Sequence, residues 1–425
     1  MKNTNRFYFN RNIFWVKNLL FFIFLSQITL AQNNYGQSFW QQKGLQTGVY
    51  AYGNLASSAY DKHFVNHFIQ GGFIDENTKT RNYNRIKSEK ITGFDVDAAI
   101  WMNYTPDSLF GVKGLGIFGS VGQRLQGELL NTSDAFRLVF FGNQDFIDKD
   151  AALAPFKFQT LNYQQIRLGL SFNEGKGGFA FSYLNASSFQ ELELNNGLFY
   201  TAQNTDFLKL TADGYYFRSD TAKQNFLNNN GGGFSFDAYY NFKLDSLNKH
   251  RLMVEVRDFG ILFFNNKSLE TRFDTNYRFN GIEINNLLNP DVEKSIDDLN
   301  ADSLQKNLSV NKKNRLTKLL PYFLHFNYQY QYSEKLILGA GLRHRFESVF
   351  LTQLYASANY KIKENIHLSG NINYGGYGRF GLGLGIKTLV LKHYQFQLFS
   401  DNIESLVLPK QSFGQSVFIA ISRRF

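Results

Sequence analysis

The chain has 425 residues, a net charge of +10 and no cysteine, which excludes disulfides, thiolate metal sites and a lipid-modified cysteine. Four positive charges belong to the first 31 residues, and the remaining +6 is scattered, which argues against a nucleic-acid partner. The 45 Phe and 24 Tyr against 5 Pro favour long strands, because aromatic side chains suit a pleated surface and proline cannot donate to a ladder. The composition predicts an all-β protein.

The N-terminus is expected to be a signal peptide. A basic stretch precedes the apolar core Leu19–Leu25, and Ala31 suits cleavage before Gln32. The core is shorter than the roughly 20 residues that span a bilayer, so an uncleaved anchor is the disfavoured alternative. We therefore divide the chain into a signal peptide at 1–31, an N-terminal segment at 32–90 and a barrel at 91–425.

The segment 32–90 is predicted to be either plug-like or a first strand. Gly48 to Tyr60 could form that strand, and Asp61 to Ile69 a short helix. His63 and His67 would share one face of the helix, as a metal pair does. No third ligand is close in sequence, so a plug-like amphipathic turn is favoured over a metal site.

From about residue 92, apolar and polar residues alternate in segments of about ten, which is the period of a strand and not of a helix. In the clearest segment, Leu324, Phe326 and Tyr328 share one face, and His325 and Asn327 share the other. About sixteen strands are predicted in all, with fourteen as the alternative. The others lie near 94–100, 113–123, 166–172, 178–193, 206–218, 231–243, 249–263, 267–278, 335–346, 351–362, 366–374, 380–387, 393–398 and 416–425.

The connections differ strongly in length. Short turns lie at 173–177, 333–334 and 363–365, whereas 124–160 and 279–319 are long. Counting strands back from the C-terminus places both long connections on the outer side, as outer-membrane barrels require. A helix is predicted in the second, because Asn289 can cap it and Pro290 suits its first position.

The last strand carries the strongest indication of fold. Its outward face is predicted to carry Val417, Ile419, Ile421 and Phe425. It must pair with the first strand, because lipid leaves no partner for an open edge. A soluble sandwich would bury its apolar faces, whereas here the opposite faces carry the polar residues of a wet lumen. An alternating strand that ends on an aromatic residue also resembles the recognition signal of bacterial outer-membrane barrels. We predict a transmembrane antiparallel β-barrel in the cell outer membrane, with membrane lipid and the barrel-assembly machinery as partners.

Charged residues on the inward faces are candidates for lining the lumen. They are Asp95, Asp97, Arg167, Arg251, Glu255, Arg257, Arg343 and Arg345. Catalysis would need a raised pKa and a nucleophile in reach, whereas a lining needs only water and opposite charges. We therefore predict no catalytic, cofactor-binding or metal-binding residue, and no enzyme.

A glycine run and the aromatic residues near strand ends also indicate how the wall is built. The glycine run from Gly375 to Gly385 lacks the spacing of a phosphate loop, and its alternating glycines leave room for an inward loop or plug. Aromatic residues near strand ends are expected to form a girdle at the membrane surfaces. These are Trp101, Tyr104, Tyr239, Tyr240, Tyr322, Tyr332 and Tyr374.

Short pieces recur in an order that resembles a poorly characterised family of Bacteroidota outer-membrane proteins, similar in style to the PorP/SprF-type membrane proteins of type IX secretion and gliding. The pieces are Arg137-Leu138-Val139-Phe140, Gly142-Asn143, Phe146, Tyr183-Leu184-Asn185, Asn280-Gly281-Ile282, Leu320-Pro321 and Ser400-Asp401-Asn402. The resemblance implies a barrel, an outer-membrane location and involvement with secretion or surface-lipoprotein machinery. It implies no activity.

Two functions follow as hypotheses. The first is a scaffold or accessory component of a cell-envelope or secretion machine, with envelope or surface proteins docking on 124–160 and 279–319. The alternative is a channel or transporter for a small solute. A barrel hydrolase would rest on little more than Asp95 and Asp97.

Overall fold

The computed structural model describes residues 43–86, 89–173, 175–204, 206–220, 228–280, 310–313, 315–391 and 393–425. The expected signal peptide and the helix predicted near Asn289 lie outside these residues. Within the described ranges, no helix has the length and apolarity needed to cross a membrane.

Twenty-one strands and four α-helices form the described chain. In chain order they are β1 (Gly44–Ser57), α1 (Lys62–Gln70), α2 (Glu76–Tyr83), β2 (Lys90–Thr105), β3 (Ser108–Leu109), β4 (Val112–Lys113), β5 (Gly116–Asn131), α3 (Ser133–Phe141), β6 (Asp150–Ala152), β7 (Phe156–Phe172), β8 (Gly177–Thr201), β9 (Leu208–Arg218), β10 (Gly231–Lys243), β11 (His250–Phe264), β12 (Leu269–Phe279), β13 (Val310–Lys313), β14 (Thr317–Leu319), β15 (Phe323–Gln331), β16 (Leu336–Arg345), β17 (Leu351–Lys363), β18 (Ile366–Gly376), β19 (Phe380–Val390), β20 (Tyr394–Ser400), α4 (Glu404–Val407) and β21 (Gly414–Arg424).

Fourteen of these strands close into an antiparallel barrel. The ring runs β1, β2, β5, β7, β8, β10, β11 and then β15 to β21, and β21 pairs with β1. At the closure, Ala51 of β1 lies opposite Ile419 of β21. The inward side of β21 carries Phe418, whose ring stacks on Tyr50 with 6.2 Å between centroids. The closing pair is therefore joined by backbone bonds in the wall and by aromatic packing inside it.

The lower of the two predicted counts, fourteen, is confirmed for the wall, because two of the sixteen predicted strands leave it. The segments 206–218 and 267–278 form β9 and β12, which extend the sheet beyond the barrel. The cause is β8, whose 25 residues reach about 80 Å, far more than a bilayer needs. It pairs with β10 over 177–186 and with β9 over 190–201. Alternation alone does not separate wall strands from strands in a loop.

All five long connections lie at one end of the barrel, here called the loop end; the other is the turn end. They span 58–89, 132–155, 202–230, 265–322 and 401–413. The sequence predicted that the two long connections lie on the same side of the membrane, and this arrangement agrees with that prediction. However, β5 continues to Asn131, so residues 124–131 belong to the wall and not to a loop.

The N-terminal segment contributes both to the wall and to the loop end. Residues 44–57 form β1, so the wall begins before residue 91. Helices α1 and α2 follow within the first long connection.

The outer surface of the barrel is apolar. Ile100, Leu168 and Phe234 point outward and are 67%, 66% and 63% exposed, whereas the neighbouring Ala99 and Ser235 are buried inside. Large apolar side chains left exposed around a closed ring match contact with lipid and would be unfavourable in water. The alternation of outward and inward side chains that the sequence predicts is confirmed.

A pair of arginine substitutions tests whether this surface meets lipid. Ile372 lies outward on β18 and Tyr332 lies outward at the turn end. Ile372→Arg should lower the free energy of unfolding by about 2–4 kcal/mol, and Tyr332→Arg by about 0–1 kcal/mol, because the cost falls towards the interface. Urea unfolding in liposomes measures both. Equal small losses would mean that the outer face is not in hydrocarbon.

Candidate functional site

Buried ion pairs fill the middle of the lumen. Arg124 of β5 contacts Asp97 of β2 at 3.2 Å and also pairs with Asp258 of β11. Arg167 of β7 contacts Asp237 of β10 at 2.7 Å and Asp258 at 3.1 Å. We call these five residues the central network. Each arginine bonds two carboxylates from different strands, so the network ties five strands together across the interior.

Asp258 reaches this network only because β11 bulges. Arg257 and Asp258 together face Asp237 of β10, and Asp258 adopts a left-handed backbone with φ of 62°. Without the extra residue, strict alternation would turn Asp258 outward, which is why sequence reasoning missed it. The outward apolar residues change from even to odd numbers between Val256 and Phe259, and that change marked the bulge.

A second set of contacts closes the lumen nearer the loop end. Arg345 of β16 donates to Asp95 of β2 at 2.8 Å. These strands are seven apart in the ring of fourteen, so the contact joins opposite walls. Arg345 also donates to the Tyr377 hydroxyl at 2.9 Å, and that hydroxyl donates to Glu128 at 3.2 Å. We call Asp95, Glu128, Arg345 and Tyr377 the loop-end network.

Tyr377 enters the lumen from the connection between β18 and β19. It is buried against Gly93 of β2, where a Cβ would overlap the tyrosine ring. Glycine is therefore required at this position by close approach and not by backbone conformation. The same hydroxyl lies within hydrogen-bond distance of Ser348 in the β16–β17 turn, 3.3 Å away. Side chains from two loop-end turns thus join those from the wall.

A third group of contacts links β11, β15 and β17. Glu255 accepts from Arg257 at 2.7 Å and lies 3.2 Å from Nδ1 of His325. Nε2 of His325 lies 2.7 Å from the Tyr355 hydroxyl. This chain of polar groups continues the charged lining around the wall next to the central network.

The eight residues predicted to line the lumen all project inward. Six of them make the acid–base contacts described above: Asp95, Asp97, Arg167, Glu255, Arg257 and Arg345. Arg343 instead donates to the amide of Gln353 at 2.6 Å. Arg251 lies near the turn end and donates to Asn248 at 3.1 Å. Arg124 was missed because the predicted strand ended at residue 123.

A cavity of about 40 Å³ separates the loop-end network from the central network. Its wall includes Asp95 and Arg345 on one side, and Asp97 and Arg124 on the other. This volume has room for roughly two or three water molecules. Water there can hydrogen-bond the charged groups, but a nutrient-sized solute does not fit beside them.

On the turn-end side of the charges, aromatic residues form a layer inside the lumen. Its large members are Tyr50, Tyr52, Trp101, Phe118, Tyr239, Phe399 and Phe418, all buried. The expected place of Trp101 and Tyr239 in an outer girdle is wrong. Trp101 shares the inward parity of Asp97, and Tyr239 that of Asp237, so both rings point inside. Tyr104, Tyr332 and Tyr374 are exposed on the outside.

The alternating glycines of β19 make room for a neighbouring connection. Cβ atoms at Gly381 and Gly383 would collide with Asn402 and Asn371, and one at Gly385 with Phe399. Asn371 in turn donates to Asp401 at 2.9 Å. The inward element predicted from the glycines is thus the start of the β20–β21 connection, together with one ring of the aromatic layer.

The loop end carries a folded platform built from α1, α2 and α3. Asp61 is fully buried and forms ion pairs with Arg81 at 2.8 Å and Arg85 at 2.9 Å. It also caps α1 by accepting from the Phe64 amide at 2.8 Å. One carboxylate therefore fixes both the start of α1 and its position against α2.

Aromatic packing completes the platform and leaves apolar side chains exposed on it. Phe64 of α1 and Phe136 of α3 are buried in contact with Tyr60. Burial raises the pKa of Tyr60 to about 12. Three apolar side chains of the platform remain open to solvent: Phe68, Phe73 and Val139 are 56%, 80% and 75% exposed. The platform therefore exposes apolar side chains on a folded base.

The histidine pair of α1 lies in this platform. The rings of His63 and His67 are 5.0 Å apart, and Nδ1 of His67 bonds the His63 carbonyl at 2.8 Å. Partial burial, together with His67, lowers the pKa of His63. No group of three metal-binding side chains occurs in the described part of the chain.

The family of this chain follows from a match that covers most of it. A model of a family of unknown function, DUF5723, matches residues 45–401. The chain belongs to this family. The match spans the wall from β1 to the end of β20, including all the residues of the two networks. A search of curated proteins finds no match.

Several solved barrels share the general architecture. The translocator domain of the autotransporter NalP from Neisseria meningitidis is 9% identical over 97% of this chain and 98% of that chain, with a TM-score of 0.34. The toluene transporter TodX from Pseudomonas putida is 10% identical over 90% and 91%, with a TM-score of 0.42. A Pseudomonas aeruginosa FadL homologue is 12% identical over 90% and 89%, with a TM-score of 0.38. These values support no inference about function.

The contribution of the central network to stability can be measured at Asp258. Asp258→Ala leaves two buried arginines with one carboxylate each, and should lower the free energy of unfolding by about 3–5 kcal/mol. Asp258→Asn should cost less, because asparagine tolerates the left-handed backbone and can still accept hydrogen bonds.

The control is Asp107→Ala at the turn end, where the side chain is almost fully exposed, and we expect a change within about 0.5 kcal/mol. Urea titration in liposomes gives all three values. A loss for Asp258→Ala no larger than for the control would mean that the network does not stabilise the barrel.

Proposed function

We propose that this protein is a non-enzymatic outer-membrane β-barrel that acts as a scaffold or accessory component of a cell-envelope or secretion machine. Its apolar outer face is suited to membrane lipid, and insertion of such a ring would require the barrel-assembly machinery. The observation that carries the proposal is the Arg345–Asp95 contact between opposite strands, because it places a seal across the lumen.

The seal has depth. A solute moving through the lumen would have to separate the loop-end network, the central network and the aromatic layer in turn. Removing one partner of a buried ion pair typically costs about 3–5 kcal/mol, so opening several levels together requires a large rearrangement. A scaffold requires no such rearrangement, which favours it over a permanently open pore.

The loop-end platform is the surface on which a partner would dock. Part of the predicted docking connection 124–160 forms α3, which carries Val139, and Phe73 comes from the first connection. Exposed apolar side chains on a folded base, surrounded by polar residues, are typical of protein-binding surfaces. The resemblance to PorP/SprF-type proteins directs the search for the partner towards secretion and surface-lipoprotein machinery.

Photo-crosslinking in cells tests the platform. A photoreactive phenylalanine analogue in place of Phe73 or Val139 should capture a protein of discrete mass, because both side chains are exposed on the platform. The matched control is Phe110, which is equally exposed but lies in a short connection at the turn end. Lipid or heterogeneous products alone from Phe73 and Val139, or the same product from Phe110, would contradict the docking surface.

The second candidate function is a gated channel for a small solute. The cavity between the two networks and the charged side chains in its wall favour it, since a shift of Arg124 and Arg345 would join the cavity to water on the loop-end side. In that case the ion pairs would be a gate and not a permanent seal.

Conductance in planar bilayers separates the two functions. The scaffold predicts no steady current steps for the wild-type protein, and the double variant Arg124→Ala/Arg345→Ala should add brief openings because it weakens both networks. Lys335→Ala, in an exposed turn, serves as the control and should remain silent. Steady wild-type conductance would overturn the scaffold and support the channel.

A further inference from the structure

The turn-end mouth of the lumen has a charge pattern unlike that of the interior. Lys361 of β17 lies opposite His367 of β18, which lies opposite Lys387 of β19. Neighbouring strands are about 4.8 Å apart, so the three side chains form a continuous row. All three are half-buried, and they share the inward face of buried Asn371.

These three side chains have fewer carboxylate partners than the arginines deeper in the lumen. In the residues that the structure describes, Lys387 and His367 form no ion pair. Lys361 contacts Glu364 at 2.9 Å, but this glutamate is almost fully exposed in the turn, where solvent weakens the attraction. Arg424 of β21, two strands along the wall from Lys387, adds a further positive charge at this end.

Strands β10 and β11 add positive charge at the same end, and the aromatic layer forms a floor. Lys243 of β10 lies opposite Arg251 of β11, again on the inward side. Tyr239 precedes Lys243 on β10, and Phe418 precedes Arg424 on β21, so the aromatic layer lies deeper than the cations on both strands. We call the space lined by Lys243, Arg251, Lys361, His367, Lys387 and Arg424 the turn-end vestibule.

We propose that the turn-end vestibule binds the phosphate group of an anionic ligand, with Lys361, His367 and Lys387 as its main contacts. A row of three neighbouring nitrogen donors, two of them from lysines, suits a group with several anionic oxygens. The surrounding wall of low dielectric constant strengthens their attraction for an anion. The ligand is either a free phosphate-bearing solute or the headgroup of an anionic phospholipid in the adjoining leaflet. This site lies at the opposite end from the proposed docking platform and does not depend on it.

Binding of inorganic pyrophosphate to the full-length protein in zwitterionic nanodiscs, measured by calorimetry, tests the free ligand. Retention of phosphatidylglycerol from mixed nanodiscs, measured by native mass spectrometry, tests the headgroup. Lys361→Met/Lys387→Met should weaken binding of whichever probe the wild-type protein binds by roughly tenfold, as loss of charged hydrogen bonds typically does. Lys361→Arg/Lys387→Arg should preserve binding, which separates lost charge from lost folding.

The matched control is Lys335→Met, which removes an exposed lysine from a turn at the same end. It should leave binding unchanged. Binding of either probe with this pattern of variants supports the site and shows whether its ligand is a free solute or a lipid headgroup. Binding of neither probe by the wild-type protein, or an equal loss in Lys335→Met, would overturn the proposal.

Discussion

The structure depends on one constraint: a sheet in lipid has no water to satisfy its edges, so the first strand must pair with the last. Here β1 and β21 meet that constraint over most of their length, from Gln46 opposite Arg424 to Ala56 opposite Gly414. Closure with fourteen strands then fixes which residues face outward and which are enclosed. It also sets the width of the lumen, and hence which side chains can meet across it.

Once the wall is closed, the inward residues determine whether the lumen is a pore. A polar lining can be hydrated, but Arg345 reaches Asp95 on the opposite wall, and the central network joins further strands at another level. Charges removed from water must be paired, and arginine suits this role because its planar fork bonds two carboxylates at once. The same polar inner face that is typical of a channel thus produces a seal when acids and bases alternate around a narrow ring.

The sequence was most informative where local pattern determines structure. Alternation placed Asp95, Asp97 and Arg345 inside, and the last strand revealed closure, because both properties follow from the two-residue period. Alternation could not distinguish β9 and β12 from wall strands, since a strand in a loop has the same period. It also failed at Asp258, where one bulged residue reverses the parity. The partner of Arg345 was beyond reach, because 250 residues separate it from Asp95 and only the ring order brings them together.

The two ends of the barrel differ chemically on either side of the paired charges: a platform with exposed apolar side chains lies at the loop end, and a cationic vestibule lies at the turn end. The central claim is that side chains from opposite strands meet across the lumen. A double-mutant cycle on Asp95 and Arg345, with unfolding free energies measured in liposomes, tests that claim most directly. The account predicts a coupling energy of about 1–3 kcal/mol between Asp95→Ala and Arg345→Ala. Additivity of the two substitutions to within about 0.5 kcal/mol would contradict it.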